Sequence, residues 1–452
     1  MQCMLLPLSL FLLPLQLPNL PGINQLLVFM RIEYLFLILY MILIFWAIPK
    51  ITFISHTQLQ NREIKFLLVF KILASIVCAY YFVRTNADYL RLNFQGLLQY
   101  NLLLSNPRLF FTDFSSDINA YGLGRLFETQ DSFWGYLRFN LLFKLIAILN
   151  LVTKGNFYFN TVIFSSIVFF GHIAFYRIYN EIYPGNKRKI LAVAFCLPSV
   201  LLYTSCVHKD GIIFLSIAII SYIFHRYLSS SRAVGIKYLL ALLIATLSIF
   251  LFRNYVVVAI VPAMLTALLC KMLIYKKRYI ILLAYSFFFL VFFVSGFSNS
   301  PVNFPAAVVQ RKADFSALAV GNTNIKMTAL YPTPQSFITN LPQAINHYLF
   351  RPYLWEFPQL SVLLTAIELF VYQLLILAFI FYRKKSTAPV HTFNIFGLLF
   401  VFNMMLIIGY TIPNVGAIVR YRSIFWVFII CPAICNIDWQ RLLTFRKIGF
   451  DN

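Results

Sequence analysis

An all-α bundle of membrane-crossing helices is the fold this sequence predicts, on three observations. Of 452 residues, 61% are hydrophobic and only 11% are Asp, Glu, Lys or Arg. Soluble chains are about 45–50% apolar and about 25% charged. The mean hydropathy is +0.80. The apolar residues are also gathered into runs that suit a hydrocarbon core, which needs roughly 20 residues with a range of about 17–25. In lipid every backbone polar group needs an internal partner, so such runs become helices.

About eleven spans follow: 33–49, 65–84, 157–178, 188–205, 210–227, 236–252, 254–271, 277–295, 358–382, 391–411 and 421–437. The first 30 residues are apolar but interrupted by Pro7, Pro14, Pro18 and Pro21. They lack the basic stretch and small-residue site of a cleaved signal peptide. They read as an interfacial segment, a further span or sequence not used in the cell.

Orientation comes from the basic residues, which gather on the cytoplasmic side of a membrane. Six clusters stand out: Lys50 with Arg62 and Lys65; Lys187–Lys189; Arg226 with Arg232 and Lys237; Lys271 with Lys276, Lys277 and Arg278; Arg383–Lys385; and Arg441 with Arg446 and Lys447. All six share one side only if 135–153 does not cross. That segment carries Arg138, Lys144 and Lys154, and is expected to be a re-entrant or interfacial helix. The N-terminus is then outside and the C-terminus inside.

Two long external loops result, about 85–156 and 296–357, with short external turns near 207–210, 253–254 and 411–420. Eight of the 14 acidic residues fall there: Asp88, Asp113, Asp117, Glu128, Asp131, Asp210, Asp314 and Glu356. Concentrating scarce carboxylates on one side marks the working face. The formal charge of +23 sits mostly in short loops, where it sets orientation instead of marking a nucleic-acid partner.

The chain reads as one integral membrane domain over 1–452. No repeat, soluble domain or GxxxxGK[ST] phosphate loop is present. Cys3, Cys78, Cys196, Cys206, Cys270, Cys431 and Cys435 form no CxxC and lie mostly in apolar runs. They read as buried small residues, not as disulfides or a metal site. HExxH, GxSxG and the Rossmann fingerprint are missing too, which removes support for zinc-protease and serine-hydrolase chemistry.

Four constellations can carry chemistry. In the first loop, Asp113 and Asp117 follow Asp88. Asp117 and Tyr121 have the i,i+4 spacing of one helix face. A surface carboxylate can act as general base on a sugar hydroxyl or bind a divalent ion that holds a diphosphate. Helix capping is the ordinary alternative. The second is Pro198-Ser199 followed by His208-Lys209-Asp210-Gly211 at a turn. Lys209 suits phosphate as a point charge, and His208 suits proton transfer; capping by Asp210 is the alternative. The third is Arg253, Arg351, Arg420 and Arg422 at external helix ends. Guanidinium forks match phosphate oxygens, while interfacial anchoring is the common role. The fourth is Phe350-Arg351-Pro352-Tyr353-Leu354-Trp355-Glu356, then Glu368 inside a span. Its aromatics suit sugar stacking or a membrane belt, and an intramembrane carboxylate is a functional candidate or an internal hydrogen-bond partner.

This order of features resembles bacterial membrane proteins of surface-polysaccharide gene clusters. These are the O-antigen and capsule polymerase-like proteins and related multi-spanning glycosyltransferases that use polyprenyl-linked donors. The likeness covers roughly 85–440 and rests on short motifs: the Asp-rich loop, Pro-Ser then Lys-Asp, Arg-Pro-x-x-Trp-Glu, and Arg-Tyr-Arg before a final span. It implies glycosyl transfer from a polyprenyl-diphosphate-linked saccharide on the outer face of a bacterial inner membrane. By that likeness Lys209, Arg351, Arg420 and Arg422 bind diphosphate, and Asp117 or Asp88 is the base. The acidic motif usually follows the first span; here it follows the second. His208, Arg253 and Glu356 join the expected substrate-binding set, and Asp210 the expected catalytic set. No cofactor is expected beyond an optional divalent cation. Membrane lipids and polysaccharide-assembly proteins are the other expected partners. A flippase for lipid-linked sugars is the rival from another class, though the sequence lacks the repeated halves common in transporters. A membrane acyltransferase and a purely structural membrane protein are the remaining alternatives.

Overall fold

The computed structural model describes residues 23–85, 88–114, 132–229, 235–273, 276–297, 303–318, 321–385 and 390–448, with backbone alone for 23–33, Asp88 and 444–448. The described chain is helical, and only two isolated bridges join extended residues. The helices are α1 (Ile23–Ala47), α2 (Asn61–Arg84), α3 (Asp88–Ser105), α4 (Pro107–Thr112), α5 (Phe133–Thr153), α6 (Phe157–Ile182), α7 (Lys187–Cys196), α8 (Pro198–Ser205) and α9 (Lys209–Ser229). They continue as α10 (Ile236–Met272), α11 (Lys277–Val294), α12 (Phe304–Ala317), α13 (Pro334–Leu349), α14 (Leu360–Phe381), α15 (Thr392–Thr411), α16 (Val415–Ser423), α17 (Val427–Asn436) and α18 (Trp439–Ile448).

Eight described helices are long and apolar enough to cross a bilayer, or up to ten if each of two bent pairs is one span. The chain is thus a multi-pass membrane protein. Leu282, Leu283, Phe287 and Leu290 on α11 and Leu360, Leu364, Ile380 and Phe381 on α14 are exposed, a surface that suits lipid. The core lies between α6, α9, α10 and α15, where Phe169, Ile173, Phe214, Ile217, Ile249, Val256, Phe396 and Phe400 are buried.

Three elements depart from the expected spans. Residues 236–252 and 254–271 are one 37-residue helix, α10, interrupted at Arg253 (φ −153°, ψ 74°). Run straight, it would measure about 55 Å against a core of about 30 Å. It does not run straight. Arg226 donates to the Tyr238 hydroxyl at 3.2 Å, and Lys271 donates to the neighbouring Tyr227 carbonyl at 2.8 Å. Residues near both ends of α10 therefore meet one spot, so α10 folds back at Arg253. The expected span 188–205 is the pair α7–α8, bent by 46°. Pro198 forces the extended backbone seen at Leu197. The expected span 421–437 begins earlier and is the pair α16–α17, bent by 63°.

The expected long loops hold helices. α3, α4 and α5 lie within 85–156, and α12 and α13 within 296–357. By length and composition α5 is able to cross, but its contacts put both ends at one end of the bundle. Near its start, the Trp134 ring lies 5.9 Å from Phe250, and Lys209 sits 5.2 Å from the Phe139 ring. Just past its end, Asn160 bonds Asn93, and Phe157 packs with Tyr89, Phe82 and Cys206.

The basic clusters meet at the opposite end. Lys187 pairs with Glu63 at 2.7 Å, and Lys189 lies 5.5 Å from the Trp439 ring. Lys384 bonds the Cys435 carbonyl, Lys277 bonds the Val390 carbonyl, and Lys271 reaches Tyr227 beside Arg226. These contacts link all six clusters in sequence.

Candidate functional site

Opposite the basic ring, five helices and one turn deliver charge to one place. Asp210 lies in the first turn of α9, where a carboxylate complements the unpaired N–H groups and the helix dipole. Its side chain is fully buried. Arg253 donates to Oδ1. Arg420, in the last turn of α16, approaches Oδ2 at 3.6 Å, and His208 Nδ1 lies 2.8 Å from Oδ2. A carboxylate cannot stay charged in such burial unless paired; here the guanidinium groups of Arg253 and Arg420 pair it.

The arginines are held by aromatic faces. Arg253 lies 3.9 Å from the Tyr421 ring centroid, and Arg420 lies 5.2 Å from the same ring. Arg311 of α12 stacks on Tyr255 at 3.9 Å and sits 5.2 Å from Phe315. Arg138 of α5 is within electrostatic range of Arg253 and Arg311, and Lys209 is within range of Arg138, Arg253 and Arg420. The cluster thus holds five cations: Arg138, Lys209, Arg253, Arg311 and Arg420. Among the described residues its carboxylates are Asp210 at the centre and Asp314, within range of Arg311.

Among the described residues cations outnumber carboxylates here, and burial grades outward. Arg253 is 4% exposed, while Arg420, Lys209, Arg138 and Arg311 are half-buried. Buried donors remain: Arg253 Nη1, Arg311 Nε and the Tyr89 and Tyr255 hydroxyls have no hydrogen-bond partner among the described residues. Buried donors are costly to leave unmade, so the arrangement suits an anion with several oxygens. Burial pulls the His208 pKa down to about 4, against the pull of Asp210; the imidazole is neutral near pH 7.

The structure thus unites His208, Lys209, Asp210, Arg253 and Arg420. It separates the other expected residues. Arg351 pairs with Glu356 at 3.3 Å, in a loop where Tyr353 and Trp355 stack at 5.4 Å. Arg422 is buried, donates to the Tyr348 carbonyl and lies 5.9 Å from the Trp426 ring. Two helical residues on from Arg420, it points about 200° away. Glu368 accepts from the Ser199 N–H at 3.0 Å, the Ser199 hydroxyl at 2.9 Å and the Tyr372 hydroxyl. It caps the exposed start of α8, the internal hydrogen-bond role. Asp88 begins α3, but its side chain lies outside the described residues, as does Asp117.

Arg138, Arg311, Tyr89, Tyr255 and Tyr421 were not singled out as site residues from sequence. Their one sequence signal is position: each lies in or beside a segment expected on the external face. Among the described residues no group of three or more His, Cys, Asp or Glu is placed to hold a metal ion. Compared with protein-family models, curated proteins and solved structures, the chain matches none.

Proposed function

We propose that the chain is a membrane glycosyltransferase of the polysaccharide-polymerase kind, acting on polyprenyl-diphosphate-linked saccharides in a bacterial inner membrane. The observation that carries this reading is the cluster of five cations around buried Asp210, at the end of the bundle opposite the basic ring. A departing diphosphate develops negative charge, and preorganised guanidinium groups at membrane level stabilise it. The lipid tail stays in the bilayer while its diphosphate reaches Arg253 and Arg420. The sequence resemblance supplies the sugar chemistry. In this reading the chain crosses eleven times, with α10 counted twice and α5 lying along the outer face. The residue set moves with the geometry. Lys209, Arg253 and Arg420, with Arg138 and Arg311, bind diphosphate, and Asp210 holds the arginines in place.

The test is reconstitution in liposomes with a polyprenyl-diphosphate-linked oligosaccharide, following released polyprenyl diphosphate and lengthened saccharide by mass spectrometry. Wild type is expected to produce both, and Arg253→Ala or Arg420→Ala to lose about 100-fold or more in rate. Transport of the labelled lipid across the bilayer without sugar transfer would refute the enzyme and favour the flippase.

A further inference from the structure

We infer that a groove along α1 binds one anionic phospholipid from the leaflet on the side of the basic ring. Its acyl chain lies in the groove and its phosphate on Lys50 and Lys65.

The groove holds about 590 Å³, within the range of about 300–1,000 Å³ usual for ligand sites. α1 builds it from two parallel rows at four-residue spacing, which keeps side chains on one helix face. Leu37, Met41 and Phe45 form a half-buried floor packed against the core. Ile38, Ile42 and Trp46 form a wall, 58, 61 and 64% exposed. Such a lining offers water almost no hydrogen-bond partners, so hydrocarbon is the occupant that suits it. From Leu37 to Trp46 the groove runs about 14 Å along the helix axis. One leaflet makes up half of a hydrocarbon core of about 30 Å. The groove therefore reaches from headgroup level to near the midplane, the depth of one acyl chain.

The mouth is cationic. Lys65 of α2 lines the groove beside Trp46. The Lys50 ammonium lies 3.5 Å from the centre of the Trp46 ring, and this cation–π contact holds it against the wall. Arg62 stands one helical turn before Lys65, on the same side of α2. All three cations are exposed. Among the described residues none of them is within ion-pair distance of a carboxylate. Glu63, between Arg62 and Lys65 in sequence, is already engaged by Lys187 at 2.7 Å and by the Gln60 N–H at 2.8 Å. A basic pocket at the end of membrane helices selects an anionic headgroup. A helix of a second copy could fill the apolar part but would leave these cations unpaired, so charge favours the lipid. Phosphatidylcholine carries an ammonium that the three cations repel, whereas phosphatidylglycerol carries none. The groove opens at the end of the bundle opposite Asp210, so it is separate from the cationic cluster there.

The test titrates the purified full-length chain in detergent micelles with phosphatidylglycerol or with phosphatidylcholine of the same acyl chains. Native mass spectrometry counts the bound lipid. Wild type is expected to hold one phosphatidylglycerol about 25-fold more tightly than phosphatidylcholine, at about fivefold per cation for Lys50 and Lys65. Lys50→Gln and Lys65→Gln are each expected to weaken phosphatidylglycerol by about fivefold, and the pair together by about 25-fold, with phosphatidylcholine unchanged. Ile42→Trp fills the groove from an exposed position without touching a charge, and is expected to abolish the tight phosphatidylglycerol. Equal affinity of wild type for the two lipids overturns the inference, as does wild-type binding by the double lysine variant. Unchanged binding by Ile42→Trp also overturns it, because loose attraction to surface charge would then suffice. A lipid-free dimer that Ile42→Trp splits would give the groove to a second copy, and overturns it as well.

Discussion

Replacing Asp210 by Asn removes one charge and almost no volume from the centre of the cationic cluster. Asp210 is fully buried, Arg253 is nearly so, and Arg420 is 22% exposed at its side chain. At the 3.6 Å between Arg420 and Asp210, a dielectric of about 20 gives an attraction of about 4–5 kcal/mol. Partial exposure lowers that figure for Arg420, while Arg253 is closer and drier. Removing one member of a buried ion pair costs about 3–5 kcal/mol, because the remaining charge is left unpaired. A domain has about 5–15 kcal/mol in all, so Asp210→Asn is expected to lose about a fifth or more of the stability. The assay is denaturant unfolding in mixed micelles, read by tryptophan fluorescence, for wild type, Asp210→Asn, Arg253→Gln and the double variant. The double variant is expected to be more stable than the sum of the singles by about 1 kcal/mol or more. A loss within about 0.5 kcal/mol for Asp210→Asn, or strict additivity, would refute the pairing as the organiser of the site.

Three other outcomes are expected. Burial lowers His208 and His347 each from the usual 6.5 to about 4, so the unfolded chain binds more protons between these values; stability falls as pH drops from about 6.5 to about 4, by up to about 3 kcal/mol per group, and a flat melting profile over that window would contradict it. Among the described residues Lys71 is fully buried and donates only to the Thr204 and Ser205 hydroxyls, which also bond their own helix carbonyls; Lys71→Met is expected to be neutral or stabilising by up to about 2 kcal/mol, and a loss above about 1 kcal/mol in the same unfolding assay would show that the ammonium is needed. A Cβ on Gly409 would stand 2.3 Å from the Ala344 carbonyl oxygen, so Gly409→Ala must separate α13 from α15 at a cost of about 1–3 kcal/mol; a circular-dichroism melt unchanged from wild type would argue against that close packing.

The helical class was legible because lipid leaves the backbone few options, and the basic ring because loop charge follows one rule. The turn at Arg253 was legible because Arg253 and Asn254 interrupt the apolar stretch between Lys237 and Lys271. What escaped was direction around an axis. Arg420 and Arg422 look equivalent in Arg-Tyr-Arg, yet helical geometry sends them to opposite faces, one to Asp210 and one to Tyr348. Arg351 and Glu356 look like ligands in sequence, and the fold sets them 3.3 Å apart as an ion pair in their own loop. Arg138 and Arg311 carry no local pattern, and only packing of α5 and α12 over the end of the bundle brings them in. The tyrosines of the site read as interface residues in a chain with 27 of them.

The pairing of Asp210 with Arg253 has a consequence for how the chain is made. A lone carboxylate at membrane depth is costly, and α9 delivers one as soon as it leaves the ribosome and inserts. Its partner arrives only 43 residues later, at the tip of the next helical hairpin. Once α10 has left the ribosome and inserted, both members of the central ion pair are present, and Arg420, made later, joins a pair that does not need it to form. Translation thus assembles the charged centre from the inside outward.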